Sequence, residues 1–242
     1  MHSPAQAAPS LEEQLVQLFR EHPEIVLDVL KKHSAEVLDI VQEGSDNRRR
    51  TALLKQWETD LQQPKHVSLE GRPAFGTPNM PVTIVAYSDF LCSYCRQAAF
   101  TIGNLLNKYK GRIRLVCKQT PKSDAGNVAG AWFLAAYKLD RDKARKFYAT
   151  LYDRQQKVED DTIVALRAIA GEVGYDVKAL EAEVNGNAKK YEDMINADAA
   201  EARSLGFAGT PYFLVNDLVI RGAVPLDNFI DAVELALKHA KK

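Results

Sequence analysis

Cys92 and Cys95 are the two side chains of this sequence whose type and spacing best suit chemistry. Cys92 follows a β-branched run and begins a predicted helix, so unpaired N–H groups and the helix dipole favour a negative charge on its sulfur. These effects lower the pKa of Cys92 and favour its thiolate. Because only Ser93 and Tyr94 separate the pair, Cys95 lies within bonding reach. The pair can alternate between dithiol and disulfide, with Cys92 attacking a substrate disulfide and Cys95 resolving the mixed disulfide.

A Cys-x-x-Cys pair is also half of a structural zinc site, which requires four nitrogen or sulfur ligands. The chain contains three cysteines, and the third, Cys117, stands alone. The five histidines lie before residue 67 or in the last predicted helix. The sequence therefore favours redox chemistry over a zinc site. It predicts no metal, and no cofactor beyond the redox-active disulfide of Cys92 and Cys95.

A second signal is Gly209-Thr210-Pro211, which directly precedes a predicted strand. A proline at the first position of a strand is compatible with ordinary edge-strand chemistry. A cis Thr210–Pro211 bond would instead leave the backbone of Thr210 free to pair with an extended substrate segment beside the sulfurs. In combination with the upstream cysteine pair, this segment indicates a substrate-binding loop.

The composition of the 242 residues is that of an ordinary globular protein, with 46% hydrophobic and 26% charged residues. Lys plus Arg and Asp plus Glu number 32 each, so no net positive field favours nucleic acid. No apolar run approaches the ~20 residues of a membrane span, which predicts no membrane insertion. Residues 1–9 lack the apolar run of a signal peptide, so we expect none within this chain.

Residues 10–63 are predicted to be helical throughout. A capping box at Ser10 begins the first helix. Pro23 suits the first turn of a second helix, which Gly44 is expected to end. A third, more polar helix follows and stops before Pro64.

Apolar residues recur at helical spacing along this N-terminal segment. They include Leu15, Leu18, Ile25, Val29 and Leu38. Helices this short and one-sided cannot form a core of their own, so the stripes must bury against the rest of the chain or against other copies. Since the remainder has the elements of a complete fold, we expect a homo-oligomer, a dimer or a trimer. The polar, Arg-rich stretch before Pro64 would then act as a hinge.

The rest of the chain alternates strands and helices, which predicts an α/β fold with a parallel βαβ unit around the cysteines. The predicted elements are a strand at 82–87, a helix at 92–109, a strand at 113–117, a helical stretch at about 124–205, a hairpin with its turn at 216–217, and a helix after 225. We therefore divide the chain into a helical oligomerisation segment with its linker, residues 1–63, and a catalytic domain, residues 64–242, with a helical insertion.

The block from Val82 to Cys95 resembles the active-site segment of the DsbA-like periplasmic thiol-disulfide oxidoreductases. The later stretch from Gly209 to Phe213 resembles their cis-proline loop, and the helical stretch between the two motifs is similar to their inserted domain. The resemblance extends from about Val67 to the C-terminus. It implies a thioredoxin fold, a periplasmic location, a cis Pro211 and protein thiols as substrates.

The same resemblance bears on the direction of the reaction. Strongly oxidising members carry Cys-Pro-His-Cys, whose histidine helps to hold the thiolate, whereas Ser93 and Tyr94 occupy those positions here. A tyrosine before the second cysteine and Thr210 before the proline are similar to the disulfide isomerases of the DsbC type. The N-terminal helices resemble those of the oligomeric, isomerase-like branch that includes the ScsC proteins of copper resistance.

Three functions follow as hypotheses. The leading one is an oligomeric disulfide isomerase or reductase that acts on misfolded or unfolded proteins. The second is a monomeric dithiol oxidase, and the third is a Cu(I)-binding thiol protein, because two soft thiolates on one helical turn suit that ion. The resemblance implies a membrane redox partner, of the DsbD type for an isomerase and of the DsbB type for an oxidase.

Several residues near the motif have two interpretations each. Asp89 is either a partly buried acid that relays protons to Cys95 or a residue that caps the helix. Phe90 and Leu91 are candidates for exposed client contact, with packing beneath the helix as the alternative. Cys117, in a predicted central strand, is expected to be a buried and unreactive thiol.

Overall fold

A computed structural model describes residues 10–240. The chain divides into two compact units, of which the first ends at Leu54 and the second begins at Lys55. Within the described residues the second unit contains all five strands. None of the helices between residues 10 and 240 is long and apolar enough to cross a membrane.

The first unit is helical, as the sequence predicts. Its helices are α1 (Leu11–Glu21), α2 (Pro23–Lys32) and the greater part of α3 (Ser34–Asp60). The predicted capping box is present, because the Ser10 hydroxyl accepts the Glu13 N–H and the Glu13 carboxylate accepts the Ser10 N–H. Neither α1 nor α2 contains a buried residue.

The predicted break at Gly44 is wrong, because α3 runs continuously through this position. The chain breaks earlier, at His33 between α2 and α3. A glycine ends a helix only where the following residues leave the helical conformation. Here the Asp46 carboxylate accepts a hydrogen bond from Gln42 at 3.1 Å, which links the turns before and after Gly44. It also lies 3.9 Å from the Arg49 guanidinium in the following turn.

The last turns of α3 belong to the second unit, so the boundary lies inside a helix rather than before Pro64. Trp57 is completely buried, and its indole N–H donates to the carbonyl of Val219 at 2.9 Å. The Asp60 carboxylate accepts the Val219 N–H at 3.0 Å. These side chains attach the end of α3 to the sheet. The second unit therefore begins at Lys55, earlier than the predicted boundary at residue 64.

The sheet of the second unit has the order β1-β3-β2-β4-β5. Its strands are β1 (Ala74–Phe75), β2 (Val82–Ser88), β3 (Ile113–Gln119), β4 (Tyr212–Val215) and β5 (Leu218–Arg221). β2 and β3 are parallel and flank α4 (Ser93–Lys108), which confirms the predicted βαβ unit. β4 and β5 form the predicted hairpin, in which Asn216 has a φ of 51°. The two-residue β1 was not predicted, because so short a strand leaves no alternating pattern.

The predicted helical insertion is confirmed between β3 and β4. Its helices are α5 (Asp124–Leu139), α6 (Arg141–Asp153), α7 (Gln155–Asp160), α8 (Thr162–Val173), α9 (Val177–Gly186) and α10 (Ala188–Ser204). The side chains of Ser123, Asp140, Asp161 and Asp176 cap four of them by accepting backbone N–H groups. The chain ends in α11 (Leu226–Ala240).

An aromatic cluster packs the insertion against the sheet. It consists of Phe75, Phe90, Phe133, Tyr148 and Tyr152. Phe90 is only 1% exposed, so packing beneath the active-site helix is the correct interpretation and the predicted exposure of Phe90 to clients is wrong. Cys117 is completely buried, as predicted.

Candidate active site

The junction between β2 and α4 positions the cysteine pair. β2 ends at Ser88, and Cys92 is the N-cap residue of α4 with extended backbone angles. Cys92 therefore lies at the N-terminus of the helix, as the sequence predicts, and Cys95 lies one turn further along. Ser93 and Tyr94 are exposed to solvent in the first turn.

The two thiols are free and occupy different environments. Cys92 is half-buried, whereas Cys95 is 2% exposed. The hydrogen bond from the Cys95 thiol is the main reason that the pKa of Cys92 falls to about 5, and the Thr210 side chain and the N–H groups of Cys95 and Tyr94 contribute. The same hydrogen bond, together with burial, raises the pKa of Cys95. At neutral pH the pair therefore holds one accessible thiolate and one buried thiol.

The Thr210–Pro211 peptide bond is cis, which agrees with the expectation from the family resemblance. The Thr210 carbonyl lies 3.6 Å from the sulfur of Cys92. The carbonyl of Pro211 accepts the Gly222 N–H at 2.9 Å, and β4 begins directly afterwards. The two sequence motifs, more than a hundred residues apart, thus meet at one site.

Asp89 is buried and binds backbone groups on both sides of the site. Its carboxylate accepts the N–H of Leu91 at 2.9 Å and the N–H of Lys122 at 3.2 Å. Its contact with Cys95 is made by its own backbone N–H, 3.5 Å from the sulfur. A Cβ at Gly126 would lie 2.8 Å from the carboxylate, so a glycine is required there. The carboxylate therefore joins the loops that precede α4 and α5, but it caps neither helix, because Leu91 and Lys122 lie outside both.

Gln155 is a site residue that the sequence did not reveal. It is the first residue of α7 and is 9% exposed. Its side-chain amide donates to the carbonyl of Phe90 at 2.6 Å and to the carbonyl of Cys92 at 3.0 Å. The helical insertion thus holds the backbone on both sides of Leu91. Only the tertiary structure brings these groups together, and no motif surrounds Gln155.

An open groove of about 480 Å³ lies beside Cys92. Its lining includes Leu91, Tyr94, Lys122, Glu159 and Thr210. Tyr94 is 64% exposed and Leu91 is partly exposed, so both present apolar surface next to the thiolate. An extended polypeptide fits an open groove of this kind better than a small enclosed ligand does.

Metal-ligating side chains do not gather at this site. Across residues 10–240 no group of three or more His, Cys, Asp or Glu side chains could hold a metal ion. The arrangement of thiolate, buried thiol and adjacent loop is suited to thiol-disulfide exchange, in which one sulfur attacks and the other resolves.

Comparison with known proteins agrees with this chemistry. The Thioredoxin_4 family model, described as thioredoxin, matches residues 68–234. The disulfide bond formation protein D of Bacillus subtilis is 22% identical over 178 residues, which cover 71% of this chain and 79% of that protein.

Two solved structures share the fold. A thioredoxin-like oxidoreductase from Silicibacter pomeroyi is 30% identical, with a TM-score of 0.60 over 70% of this chain and 94% of that one. Proteus mirabilis ScsC in a transitional conformation is 16% identical, with a TM-score of 0.62 over 96% of this chain and 100% of that one. The chain therefore belongs to the thioredoxin family, as a thiol-disulfide oxidoreductase.

Proposed function

We propose that this protein is an oligomeric disulfide isomerase or reductase that acts on misfolded proteins. The Cys92 thiolate attacks a client disulfide, forms a mixed disulfide and expels a client thiolate. A second client thiol can then displace Cys92, which completes an isomerisation. Alternatively the Cys95 sulfur displaces the client, which leaves the client reduced and the Cys92–Cys95 pair oxidised. The partly exposed thiolate over a buried thiol is the observation that carries this proposal.

Of the two cysteines, the buried Cys95 is the one whose environment supports an isomerase. A low pKa of Cys92 stabilises the reduced state, which an isomerase requires on entry, and the same effect makes the disulfide form a stronger oxidant, so this shift suits both reactions. Burial raises the pKa of Cys95 in the mixed disulfide too, which slows the resolving attack because the thiolate is the nucleophile. The mixed disulfide then persists long enough for the client to exchange its own thiols.

The N-terminal unit supports an oligomer. The apolar side chains of α1 and α2 lie on the surface, among them Leu15, Leu18, Ile25 and Val29, with exposures of 43%, 41%, 41% and 53%. Burial against another copy would contribute about 1.5–3 kcal/mol per fully buried side chain. A second copy is the natural partner, because an apolar stripe on a short helix is self-complementary across a symmetry axis.

The cellular location of the protein and the donor that reduces its cysteine pair follow from the proposed function. The Bacillus subtilis relative is named for disulfide bond formation, and stable disulfides need a compartment outside the reducing cytosol. We therefore assign the protein to the periplasm. A membrane reductase of the DsbD type would keep Cys92 and Cys95 reduced, whereas an oxidase would require a partner of the DsbB type.

Light scattering and an isomerase assay on scrambled ribonuclease test this proposal. The full-length chain should be a dimer or trimer at micromolar concentration and should restore ribonuclease activity. A Leu18→Asp, Val29→Asp double variant should be monomeric, because each carboxylate would have to be desolvated in the interface. It should lose isomerase activity but still reduce insulin. A monomeric parent, or a monomeric variant with full isomerase activity, would return the protein to the oxidase hypothesis.

A further inference from the structure

The buried Cys95 must lose its proton before its sulfur can resolve a mixed disulfide. This step rests on the resolving role proposed above. In the mixed disulfide the Cys92 sulfur carries no charge, but burial still raises the pKa of Cys95, so proton loss is difficult. The Asp89 carboxylate is already bound to the N–H groups of Leu91 and Lys122. Asp89 contacts the Cys95 sulfur through its backbone N–H, a donor that cannot take up the proton, so other buried groups are the better candidates for a route to solvent.

Three buried polar side chains close to the site lack a hydrogen-bond partner among the residues that the structure describes. They are Ser88, Gln119 and Tyr152. Ser88 and Gln119 are register partners in the parallel strands β2 and β3, so both lie at the end of the sheet that leads into Cys92. An unpaired buried polar group destabilises the folded state and calls for a specific explanation. Their shared position indicates a polar site within the aromatic core.

Two phenols extend this polar site away from the sheet. Burial is the main cause that raises the pKa of Tyr148 and of Tyr152, and a negative charge on Cys95 raises both further. The Ser88 hydroxyl lowers the pKa of Tyr152, and the Tyr152 hydroxyl lowers that of Tyr148, which places these side chains next to one another. The Tyr152 oxygen nevertheless makes no hydrogen bond of regular geometry with any residue from 10 to 240. The two rings lie 5.1 Å apart. The side chains of Ser88, Tyr152 and Tyr148 are thus neighbours in the aromatic core.

The two tyrosines at the end of this group, Tyr148 and Tyr152, reach a groove at the protein surface. A groove of about 200 Å³ lies between α4 and α6, and both Tyr148 and Tyr152 line it. Its other lining residues are mostly apolar and include Phe100, which is 53% exposed. This groove is separate from the open groove beside Cys92, with which it has no lining residue in common. It offers an outlet that a bound client would leave open.

We propose that the hydroxyls of Ser88, Tyr152 and Tyr148, bridged by water, carry the proton of Cys95 to the groove between α4 and α6. Each hydroxyl accepts one proton and passes on its own, so the phenols stay neutral. The Cys95 thiolate then attacks Cys92, the Cys92–Cys95 bond forms and the Cys92–client bond breaks. The client sulfur leaves as a thiolate and takes a proton from solvent.

A single-turnover experiment tests the relay. Reduced parent and Tyr152→Phe proteins are mixed with oxidised glutathione, quenched with acid and weighed by mass spectrometry to follow the Cys92–glutathione intermediate. The substitution removes one hydroxyl and keeps the ring. At pH 7 the intermediate should decay about tenfold more slowly in the variant, below the usual range for general acid–base catalysis because water can substitute. The decay should also slow more in heavy water than it does in the parent.

Controls separate the relay from a structural effect. Tyr137→Phe removes a phenol that belongs to the same aromatic neighbourhood but donates to the Ala74 carbonyl, and it should decay at the parental rate. Ser88→Ala should repeat the slowing and carries the test if Tyr152→Phe does not fold. A parental decay rate in Tyr152→Phe and Ser88→Ala, or slowing without a larger heavy-water effect, would overturn the relay. Loss of the intermediate at the parental rate in Cys95→Ser would instead overturn the resolving role.

Discussion

At the scale of single residues, one hydrogen bond gives two chemically identical thiols different pKa values and therefore different roles. The Cys95 thiol donates to Cys92, which lowers the pKa of the outer sulfur and raises that of the inner one. Tyr94 stands where the Cys-Pro-His-Cys motif of the family resemblance has its histidine. The neighbouring thiol, the Thr210 side chain and the first N–H groups of α4 supply the stabilisation instead.

Removal of the inner sulfur should trap clients. A Cys95→Ser variant retains the Cys92 nucleophile but has no resolving thiol, so mixed disulfides with clients should accumulate. Non-reducing gels of the variant incubated with scrambled ribonuclease should show these adducts, and a Cys92→Ser variant should show none. Reduction of the substrate by Cys95→Ser at the parental rate would exclude the proposed roles.

The low pKa of Cys92 should also make the stability of the reduced protein depend on pH. The folded pKa is about 5, against 9.0 for a free thiol, so the thiolate contribution is fully present above pH 9 and declines as the pH falls towards 5. Denaturant unfolding of the reduced protein between pH 5 and 8 should therefore show stability rising with pH. The rise should be smaller in Cys92→Ser. Equal pH dependence in the two proteins would contradict the lowered pKa.

The chemistry of Cys92, Cys95 and Thr210 could be predicted because it is encoded in short, recognisable motifs. The role of Gln155 could not be predicted, because its hydrogen bonds reach Phe90 and Cys92, which lie 65 and 63 positions earlier in the chain. Tyr152 is hidden for the same reason. In the sequence it is one aromatic residue of an amphipathic helix, which usually signifies core packing.

At the scale of elements, the short helix α7 supports the active-site turn. Gln155→Leu should leave the carbonyls of Phe90 and Cys92 without their side-chain donor, at a cost of about 1–3 kcal/mol in the free energy of unfolding. The backbone before α4 should loosen, and the pKa of Cys92, measured by the pH dependence of its alkylation, should rise. Gln156→Leu is the matched control, since the neighbouring amide is exposed and binds only Asp160. Identical behaviour of the two variants would rule out this role for α7.

The last turns of α3 cover an edge of the sheet. β5 is an edge strand, and Trp57 and Asp60 bind the carbonyl and N–H of Val219 on that strand. Trp57→Ala should therefore lower the free energy of unfolding by about 3–5 kcal/mol, the usual cost of emptying a buried indole site. A truncated chain that begins at Lys55 should fold, whereas one that begins at Pro64 should be less stable and prone to aggregate through the bare edge. Equal stability of the two truncations would contradict this role of α3.

The elements most visible in the sequence were those with a strong local pattern. Strands β2 and β3, the Asn216 turn and the capping box at Ser10 all have one. The continuity of α3 through Gly44 was not visible, because a glycine is compatible with both the end and the interior of a helix. The attachment of Trp57 was hidden as well, since it depends on a strand more than 150 residues further along the chain.

At the scale of the whole molecule, the proposed oligomer should make the catalytic sites cooperate on one client. Isomerisation requires a client to be held while its sulfurs exchange, and several sites on one assembly raise the effective concentration of thiolates around it. Reduction of a small disulfide needs only one site. The two activities should therefore respond differently when some subunits of an oligomer are inactive.

Mixed oligomers can separate these two activities. Parent chains are unfolded and refolded together with an excess of Cys92→Ser chains, so that most assemblies retain a single active site. Reduction of oxidised glutathione per active subunit should stay constant, because each site works alone on a small substrate. Isomerisation of scrambled ribonuclease per active subunit should fall severalfold, because the effective concentration of neighbouring thiolates is lost. A constant isomerase activity per active subunit would mean that each site acts alone, and the exposed stripes of α1 and α2 would then serve another purpose.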